Sequence, residues 1–442
     1  MPVRILPILF RIENKDPSAG EKRLSLKVAL LGFGTVGSSV ARILCDRQPQ
    51  GIALTHVFNR NVERKRADWV PASVQWTSDV EAILRSDANV VVELVGGLDP
   101  TGVWVRRALE AGKSVVTGNK KLIAQDGVEL EKLARKHKAH LLYGAAVAGG
   151  IPIIPGLRHG LAGDAITRIQ GILNGTCNYI LSRMEDGAQA ADALQDAQKL
   201  GYAEANPSED VDGFDARAKL VILSRIALGV DLAQTGIACK SITGVAAIDF
   251  EYARELHCTI RQISRVALRD GKFYAAVGPT LVPKTSPLAW SHGTENMVLV
   301  GGKYGGDVVF SGHGAGGHPT AVAVVSDLIS LAQGGSVQAE GAASAPAKSV
   351  PVSGEFVQRH SIRLIVHDRP GIIAEIAGAL AEQQINIHAI FQRPGYQQEH
   401  LPFVVTVEPC THSALRKALD HFTGKGWLAE PPLDLPILEA EV

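Results

Sequence analysis

Residues 201–219 (GYAEANPSEDVDGFDARAK) contain the side chains of this sequence best suited to bind a charged ligand and move a proton. Five carboxylates lie in this stretch before its first basic residue, although the whole chain balances 45 basic against 45 acidic residues. They are Glu204, Glu209, Asp210, Asp212 and Asp215. Pro207 and Gly213 predict a loop, and the residues after it predict a helix with Asp215 and Lys219 on one face. The acids could bind an amine and the lysine could transfer a proton; the alternative is a solvated loop with one surface ion pair.

The composition is typical of a globular enzyme of two to three domains. The 442 residues carry no net charge, which disfavours a dedicated nucleic-acid or membrane-surface protein. The five cysteines are scattered without a CxxC spacing, which favours a reducing compartment and gives no zinc or disulfide framework. No apolar run approaches the ~20 residues of a membrane span. Residues 1–25 lack a convincing signal-peptide cleavage site and are interpreted as a loose extension of a cytoplasmic protein.

A strand, a glycine-rich turn and a helix follow one another from residue 26. The apolar run 26–31 precedes GFGTVG, and the helical pattern SSVARILCDR follows it. This order predicts a dinucleotide site in which the glycines let the backbone approach a pyrophosphate at the helix N-terminus. The predicted cofactor-binding residues of the turn are Gly32, Phe33, Gly34, Thr35, Val36 and Gly37.

The second predicted strand, residues 52–58, bears on the choice of cofactor. An NAD site usually has an acid near the end of this strand to bind the ribose hydroxyls, and none is present. Arg60 stands there instead, followed by a basic run of Arg64, Lys65 and Arg66. The run favours NADP, with NAD as the alternative cofactor and a solvated basic turn as the alternative interpretation.

Later strands end in residues that could also face the ligand. The apolar run 89–95 ends in Gly96 and Gly97, and the run 114–117 ends shortly before Lys120. In parallel sheets, functional groups gather at such carboxyl ends. A second glycine-rich turn, which includes Gly316, leads into a helix and predicts that the chain returns to the cofactor domain. After the acidic loop and its helix we expect several short apolar strands through about residue 310.

The last part of the chain predicts a separate small domain. Residues 334–355 are rich in Gly, Ala, Ser and Pro without apolar periodicity, which is typical of a linker. Beyond it, the pattern predicts a βαββα order with a last strand near Trp427, as in a ferredoxin-like unit. Residues 431–442 are interpreted as a tail.

Several ordered motifs carry a resemblance to a known family. They are GFGTVG (32–37), VVELVGG (91–97), VVTGNKKLIA (115–124), AAVAGGIPII (145–154), NGTCNYIL (174–181), GYAEANPSEDVDGFDARAKL (201–220), GHGAGGHPTAVAV (312–324) and DRPGIIAEIAGALAEQQINI (368–387). With them the chain resembles homoserine dehydrogenase with a C-terminal ACT regulatory domain. The resemblance implies a doubly wound Rossmann-type domain (26–150, completed by 311–333), an α+β catalytic and dimerisation domain (151–310) and an ACT domain (356–430).

The resemblance also implies an activity and residue roles. The family interconverts L-homoserine and L-aspartate 4-semialdehyde with NAD(P), on the route to threonine, methionine and isoleucine. Lys219 and Asp215 match the proton-transfer positions, and Lys120 matches a second lysine at the reacting oxygen. The matched substrate-binding residues are Glu204, Asp210, Gly175, Thr176 and Tyr202. A sodium ion is expected at the backbone of Val147, Gly149 and Ile151, although Gly144 stands where the family often has Glu.

The ACT segment implies regulation by an amino acid. L-Threonine is the effector that the family implies, with Gly371 and Asn386 as the candidate effector-binding positions; the alternative is a domain that only dimerises. A homodimer or homotetramer is expected. Two other functions remain open at this point: a semialdehyde oxidoreductase with Cys177 as nucleophile, and a non-catalytic sensor of nucleotide and amino acid.

Overall fold

The first unit is a parallel sheet covered by helices. A computed structural model describes residues 25–334 and 348–439. The strands are β1 (Leu26–Leu31), β2 (Ile52–Phe58), β3 (Gln75–Thr77), β4 (Val90–Glu93), β5 (Ser114–Thr117) and β6 (Leu141–Leu142). The helices are α1 (Thr35–Arg47), α2 (Val62–Lys65), α3 (Val80–Arg85), α4 (Thr101–Glu110) and α5 (Lys120–Lys136). The sheet order β3-β2-β1-β4-β5-β6 is that of a dinucleotide-binding doubly wound fold. The predicted Rossmann-type domain is confirmed.

The second unit is built on a mixed seven-stranded sheet of order β13-β12-β7-β10-β11-β15 with β9 paired to β11. Its helices are α6 (Ile153–Pro155), α7 (Gly175–Glu185), α8 (Ala190–Lys199), α9 (Ser208–Val211), α10 (Phe214–Leu228) and α11 (Ala247–Glu255). Its strands include β7 (Ile166–Ile172), β9 (Ala238–Cys239), β10 (Cys258–Arg269), β11 (Lys272–Pro283), β12 (Glu295–Gly302) and β13 (Gly306–His313). The short strand β8 (Val230–Leu232) lies outside this sheet. The expectation of short strands is wrong for β10 and β11, which pair along 12 residues each because the tight turn at Gly271 keeps them in register.

Helix α12 (Gly317–Ala332) returns to the first unit, as predicted. Its buried residues, among them Val324 and Leu328, share one apolar cluster with Val28 and Val40 of β1 and α1. The helix therefore covers one face of the parallel sheet and brings the second glycine-rich turn to the first.

The predicted linker is structured in part. Residues 348–350 form β14 (Lys348–Val350), which pairs in parallel with β8, and β15 (Val352–Ser353) pairs with β11. The interpretation of 334–355 as a plain linker is wrong for these residues, because their backbone completes sheets of the catalytic unit. Residues 335–347 and the extension up to residue 24 lie outside the described residues.

The last unit confirms the predicted ferredoxin-like fold. Its elements are β16 (Gln358–Val366), α13 (Ile372–Glu382), β17 (Ile387–Gln392), β18 (Leu401–Cys410), α14 (His412–Asp420) and β19 (Leu428–Pro436). The antiparallel sheet has the order β17-β18-β16-β19. Gly371, with φ 99°, precedes α13, and the exposed Asn386 precedes β17.

The predicted tail is wrong for residues 431–439. Residues 431–436 belong to β19, and Leu433 and Leu435 pack with Ile437 into a cluster that includes Phe250 of α11. Leu438 then donates its backbone N–H to Leu281 O at 2.8 Å. Residues 433–438 of the last unit therefore pack against the catalytic unit. In the two described ranges, no helix has the length and apolar character needed to span a bilayer.

Candidate active site

Helix α10 brings the two predicted proton-transfer residues together. It begins after Gly213, whose φ of 83° favours glycine. Asp215 and Lys219 lie one turn apart, with Asp215 Oδ2 2.8 Å from Lys219 Nζ. Both residues are buried, at 4% and 8% exposure. The shared helix face is confirmed, and burial removes the alternative of a solvated surface pair.

Lys120 approaches the same carboxylate from the Rossmann-type domain. It is the first residue of α5, whose N-cap Asn119 accepts a hydrogen bond from Leu122 N. Lys120 Nζ lies 2.5 Å from Asp215 Oδ1, and its side chain is 38% exposed compared with 10% for Lys219. Two lysines of different exposure therefore flank one buried carboxylate.

Packing between α5 and α10 sets this geometry. Arg225, two turns beyond Lys219, donates to the backbone oxygens of Ile123 and Ala124 on α5. Its Nε also lies 2.5 Å from Asp231 Oδ1. This contact fixes α5 against α10 and was not predicted, because it joins residues about 100 positions apart in the chain.

Burial and neighbouring charges shift the pKa values of Lys219, Lys120 and Asp215 in different directions. Burial lowers the pKa of Lys219, and Lys120 lowers it further, whereas Asp215 opposes both. Burial also opposes the charge of Lys120, but the adjacent Asp215 leaves the pKa of Lys120 raised. Burial disfavours ionised Asp215 as well, yet Lys219 and Lys120 hold its pKa well below the usual range. The carboxylate therefore stays charged while Lys219 gives up its proton more readily than an ordinary lysine.

Asn174 joins the two acids of the site. As N-cap of α7 it accepts from Cys177 N, and its Nδ2 donates to Asp210 Oδ1 at 2.7 Å and to Asp215 Oδ2 at 2.8 Å. Burial raises the pKa of Asp210, although the hydrogen bond from Asn174 opposes that shift. The sequence analysis missed this role; the helix-capping pattern of an Asn before Gly175 was the available signal.

The remaining predicted substrate residues do not contact the cluster formed by Lys120, Asp215 and Lys219 through a described hydrogen bond. Thr176 Oγ1 donates to Tyr202 O at 2.6 Å, and the Tyr202 ring lies 5.1 Å from that of Tyr179. A β-carbon at Gly175 would lie 2.8 Å from Thr294 O, so a side chain there requires a shift. Glu204 is exposed, and its carboxylate makes no hydrogen bond or ion pair within the described residues. The structure therefore does not join Glu204 to the cluster directly.

The two acids without a predicted role lie outside the cluster. Glu209 is exposed and pairs with Lys121 at 3.1 Å, whereas Asp212 contacts none of the catalytic side chains through a described hydrogen bond. Glu209 therefore lies at the surface, whereas Asp212 is half-buried.

The first glycine-rich turn has the shape that a pyrophosphate requires. A β-carbon at Gly37 would lie 2.0 Å from Gly32 O, and one at Gly32 (φ 100°) 2.9 Å from Leu94 O. Gly34 has open space where a β-carbon would stand, at the N-terminus of α1 that continues through Thr35 and Val36. Phe33 is different: it is 4% exposed and its ring packs 4.8 Å from Trp76, so its side chain belongs to the core.

The loop after β4 is held by a residue that the sequence analysis missed. The fully buried Glu93 accepts from Val95 N and Gly96 N at 2.8 and 2.9 Å, and from Thr117 Oγ1 at 2.5 Å. Asn119 Nδ2 donates to Gly97 O at 2.6 Å. Glu93 thereby ties the loop to the strand that leads to Lys120.

The second glycine-rich turn lies directly against the first. Gly316 has a φ of 112°, and a β-carbon at Gly317 would lie 2.8 Å from Ser39 Oγ and 3.1 Å from Thr35 O. Beside the first turn, where Gly32 N donates to Phe58 O at 3.0 Å, Arg60 and the basic run after it are exposed, and none of them forms an ion pair within the described residues. The two turns together fit the pyrophosphate of a dinucleotide.

The loop at 144–154 fits a cation bound by backbone oxygens. Val147 and Gly149 are buried, Gly149 has a φ of 42°, and neither carbonyl accepts a hydrogen bond within the described part of the chain. The carbonyl of Ile151 accepts from Ile153 N at 2.8 Å. At Gly144, a β-carbon would lie 2.9 Å from Asp327 Oδ1, so Asp327 fills the space that a glutamate would need.

Cys177 is unsuited to act as a nucleophile. It is fully buried in α7, and its Sγ donates to Asp210 O at 3.1 Å. Burial and the nearby charges of Asp210 and Asp215 raise the thiol pKa well above its usual value. A thiol that resists ionisation in this way is a poor nucleophile.

Comparisons with known proteins identify the family to which this fold belongs. The chain matches the homoserine dehydrogenase family over residues 152–329, the NAD-binding domain of homoserine dehydrogenase over 32–144, and the ACT domain over 360–422. It is 38% identical over 412 residues to a homoserine dehydrogenase of Mycobacterium tuberculosis, covering 89% of this chain and 93% of the relative. It is 37% identical over 440 residues to that of Synechocystis, covering 94% and 100%.

Solved structures give the same result. The homoserine dehydrogenase of Thiobacillus denitrificans has a TM-score of 0.85 at 32% identity, covering 94% of this chain and 98% of that one. A hyperthermophilic archaeal homoserine dehydrogenase mutant in complex with NADPH has a TM-score of 0.59 at 28% identity, covering 69% and 97%. From its matching domains, relatives and fold, this chain belongs to the homoserine dehydrogenase family.

Proposed function

We propose that the chain interconverts L-homoserine and L-aspartate 4-semialdehyde at the cluster of Lys120, Asp215 and Lys219. The observation that carries the proposal is one buried carboxylate contacted by two lysines, at 2.5 and 2.8 Å, beside a dinucleotide-binding turn. When bound, the nicotinamide accepts or supplies the hydride. The protein must then remove or supply one proton at the substrate oxygen and bind the ammonium group of the substrate.

Lys219 is the proposed proton-transfer group. Its Nζ is bonded to Asp215 and to Leu173 O at 2.7 Å, and an ammonium has a third N–H to offer. Its lowered pKa brings the neutral form within reach of the hydroxyl proton. Lys120, which is more exposed and keeps its charge, stabilises negative charge on the reacting oxygen.

The substrate ammonium is proposed to bind between Glu204 and Asp210. Glu204 is exposed and without a partner in the described chain, and Asp210 presents a carboxylate fixed by Asn174. Gly175, Thr176 and Tyr202 line the approach. Ionised acids suit an ammonium through charge-assisted hydrogen bonds.

NADP is the proposed cofactor, with NAD as the alternative. Its 2′-phosphate would be bound by Arg60 and the exposed basic residues that follow it, and the archaeal relative in complex with NADPH supports the choice. A sodium ion would be bound by the carbonyls of Val147 and Gly149, which accept no hydrogen bond within the described residues, and by the carbonyl of Ile151.

Threonine is the proposed effector, with Gly371 and Asn386 as its contacts in the ACT domain. A homodimer or homotetramer is proposed because β13 is an edge strand of its sheet with Val309 40% exposed. Light scattering that gives the mass of a monomer would contradict this. The five free cysteines fit a cytoplasmic location.

The test of the function is turnover by the purified protein. We expect oxidation of NADPH with L-aspartate 4-semialdehyde and reduction of NADP with L-homoserine, both followed at the nicotinamide absorbance. A Cys177→Ser variant should retain activity, because the thiol is buried and protonated. Absence of turnover in both directions would contradict the proposed function and favour the non-catalytic sensor.

A further inference from the structure

The last residue of β4, Glu93, is a carboxylate that takes no part in the proposed proton transfer. Its side chain is fully buried, where an ionisable group is costly unless it is hydrogen-bonded. Three uncharged donors bind it: the backbone N–H groups of Val95 and Gly96, in the loop 94–97 that follows β4, and the hydroxyl of Thr117 on β5. These three bonds join two loops at the carboxyl edge of the parallel sheet.

Three donors that converge on one side chain require two acceptor oxygens. Glu93 Oε1 accepts from both backbone N–H groups, at 2.8 and 2.9 Å, and Oε2 accepts from Thr117 Oγ1 at 2.5 Å. A glutamine has nearly the same shape but offers one oxygen, and its NH₂ group would face one of these donors. The arrangement therefore specifies a carboxylate, and Glu93→Gln removes one acceptor with little change in volume.

Thr117 carries the contact from β4 to the segment that precedes Lys120. It lies opposite Glu93 in the register of β4 and β5 and is fully buried. Its hydroxyl donates to Glu93 and accepts from Asn119 N at 2.9 Å. A valine at this position would keep the shape of the side chain and lose both hydrogen bonds.

Asn119 connects this segment back to the loop 94–97. Its Nδ2 donates to Gly97 O at 2.6 Å, and its Oδ1 caps the N-terminus of α5. Gly96 and Gly97 have φ values of 79° and 77°, and bonds on both sides hold the loop in this conformation. The hydrogen bonds therefore form a closed ring that contains Glu93, Thr117, Asn119 and the loop.

We propose that Glu93 is a positioning residue, which through this ring fixes Lys120 relative to the loop 94–97. Lys120 directly follows the cap of α5, so the cap sets where its ammonium meets Asp215. Because Gly96 and Gly97 are predicted cofactor contacts, the ring places the cofactor loop and this charge together. A displacement of about 1 Å can slow a reaction about 100-fold. This role rests on the proposed function, in which Lys120 stabilises charge on the reacting oxygen.

A double-mutant cycle with Lys120→Met tests whether Glu93 acts through Lys120. Glu93→Gln should lower kcat for NADPH oxidation with L-aspartate 4-semialdehyde about tenfold, because it misplaces Lys120. In the Lys120→Met background, the same change should lower kcat less than about twofold, because the group that it positions is already absent. A general loss of structure would instead lower kcat by a similar factor in both backgrounds.

Thr117→Val separates the two sides of the ring and keeps the proposal falsifiable if Glu93→Gln fails to fold. It removes the acceptor of Asn119 N but leaves the bonds between Glu93 and the loop 94–97. Thr117→Val should therefore lower kcat about tenfold with nearly unchanged affinity for NADPH, measured by titration of the nicotinamide fluorescence. Glu93→Gln should weaken the affinity as well.

Asp126→Asn is the matched control. It removes a carboxylate from α5 that pairs with Arg106 at 2.9 Å and lies outside the ring. Its kcat and its affinity for NADPH should equal those of wild type.

Hydrogen exchange, followed by mass spectrometry, tests the ring without turnover. The amides of residues 118–122 should exchange faster in Glu93→Gln and Thr117→Val than in wild type and in Asp126→Asn, because Asn119 N has lost its fixed acceptor. If wild type shows no turnover, the proposed function fails and exchange alone decides: faster exchange supports the positioning role, and unchanged exchange overturns it.

Three further results would overturn the proposal. One is a loss in kcat from Glu93→Gln that is equal in the wild-type and Lys120→Met backgrounds. Another is a Thr117→Val protein with the kcat of wild type. The third is a Lys120→Met protein with the kcat of wild type, which would also contradict the proposed role of Lys120.

Discussion

Asp215 contacts two lysines of unequal exposure, and the roles proposed for them rest on this inequality. The buried Lys219 has a lowered pKa and is the proposed proton-transfer group, whereas the pKa of the more exposed Lys120 is raised, so that it keeps its charge. The pairing of Asp215 with Lys219 was predictable, because four residues separate them on one helix. The contact of Asn174 with both acids was not, because it depends on how α7 packs against α10.

The pH dependence of homoserine oxidation follows from the same contacts. The proposed role of Lys219 as base requires its neutral form in homoserine oxidation, so the rate should rise with pH through a value below the ordinary lysine pKa of about 10.4. Asp215 raises the pKa of Lys219, so Asp215→Asn should move the rise to lower pH. The measurement is the pH profile of kcat/KM for both proteins. A rise that moves to higher pH, or stays in place, contradicts the assignment of Lys219.

The strands of the Rossmann-type domain were predictable because buried parallel strands are apolar throughout. Its first glycine-rich turn was predictable because GFGTVG stands between a strand and a helix. The short strands β14 and β15 were not, because each consists of two or three residues that gain stability only by pairing with a distant sheet. The last strand was placed near Trp427, but its continuation to Pro436 escaped prediction because two prolines interrupt its pattern.

The basic turn after β2 predicts a cofactor preference. Arg60→Ala should raise KM for NADPH about tenfold and leave KM for NADH nearly unchanged, because a charged hydrogen bond to the 2′-phosphate is lost. Arg47→Ala, which removes an exposed arginine at the end of α1, is the control. Steady-state kinetics with both cofactors provide the measurement. An equal effect on NADPH and NADH would mean that Arg60 does not contact that phosphate.

In the whole molecule, a buried ion pair joins the ACT domain to the catalytic unit. Arg363 Nη1 lies 2.6 Å from Asp249 Oδ2, with side chains 7% and 2% exposed. Tyr252 beside it donates to Pro402 O at 2.9 Å. These contacts could not be predicted from the sequence, since a charge on a strand or helix gives no sign of its partner in another domain.

Breaking this pair should destabilise the protein strongly. Arg363→Met leaves Asp249 buried without its cation and should lower the apparent free energy of unfolding by about 3–5 kcal/mol. Burial raises the pKa of Asp249 to about 6, so folding favours its protonated form and the loss should be smaller at pH 5 than at pH 8. Urea denaturation at both pH values measures this.

The matched control removes an exposed arginine from the same strand. Arg359 pairs with Glu439 at 3.1 Å with side chains about 40% exposed, so Arg359→Met should cost no more than about 1 kcal/mol. Equal losses in the two variants would show that the Arg363 contact is not a buried link between the domains.

Single-turnover kinetics can establish whether Lys219, held by Asp215, transfers the proton. Lys219→Met, saturated with NADPH and mixed with L-aspartate 4-semialdehyde, should oxidise NADPH about 10²–10⁴-fold more slowly than wild type, with its affinity for NADPH little changed. Lys121→Met is the control, because Lys121 is the exposed neighbour of Lys120 and pairs only with Glu209 at the surface. It should react at nearly the wild-type rate. A Lys219→Met protein that reacts as fast as the Lys121→Met control would show that Lys219 does not transfer the proton.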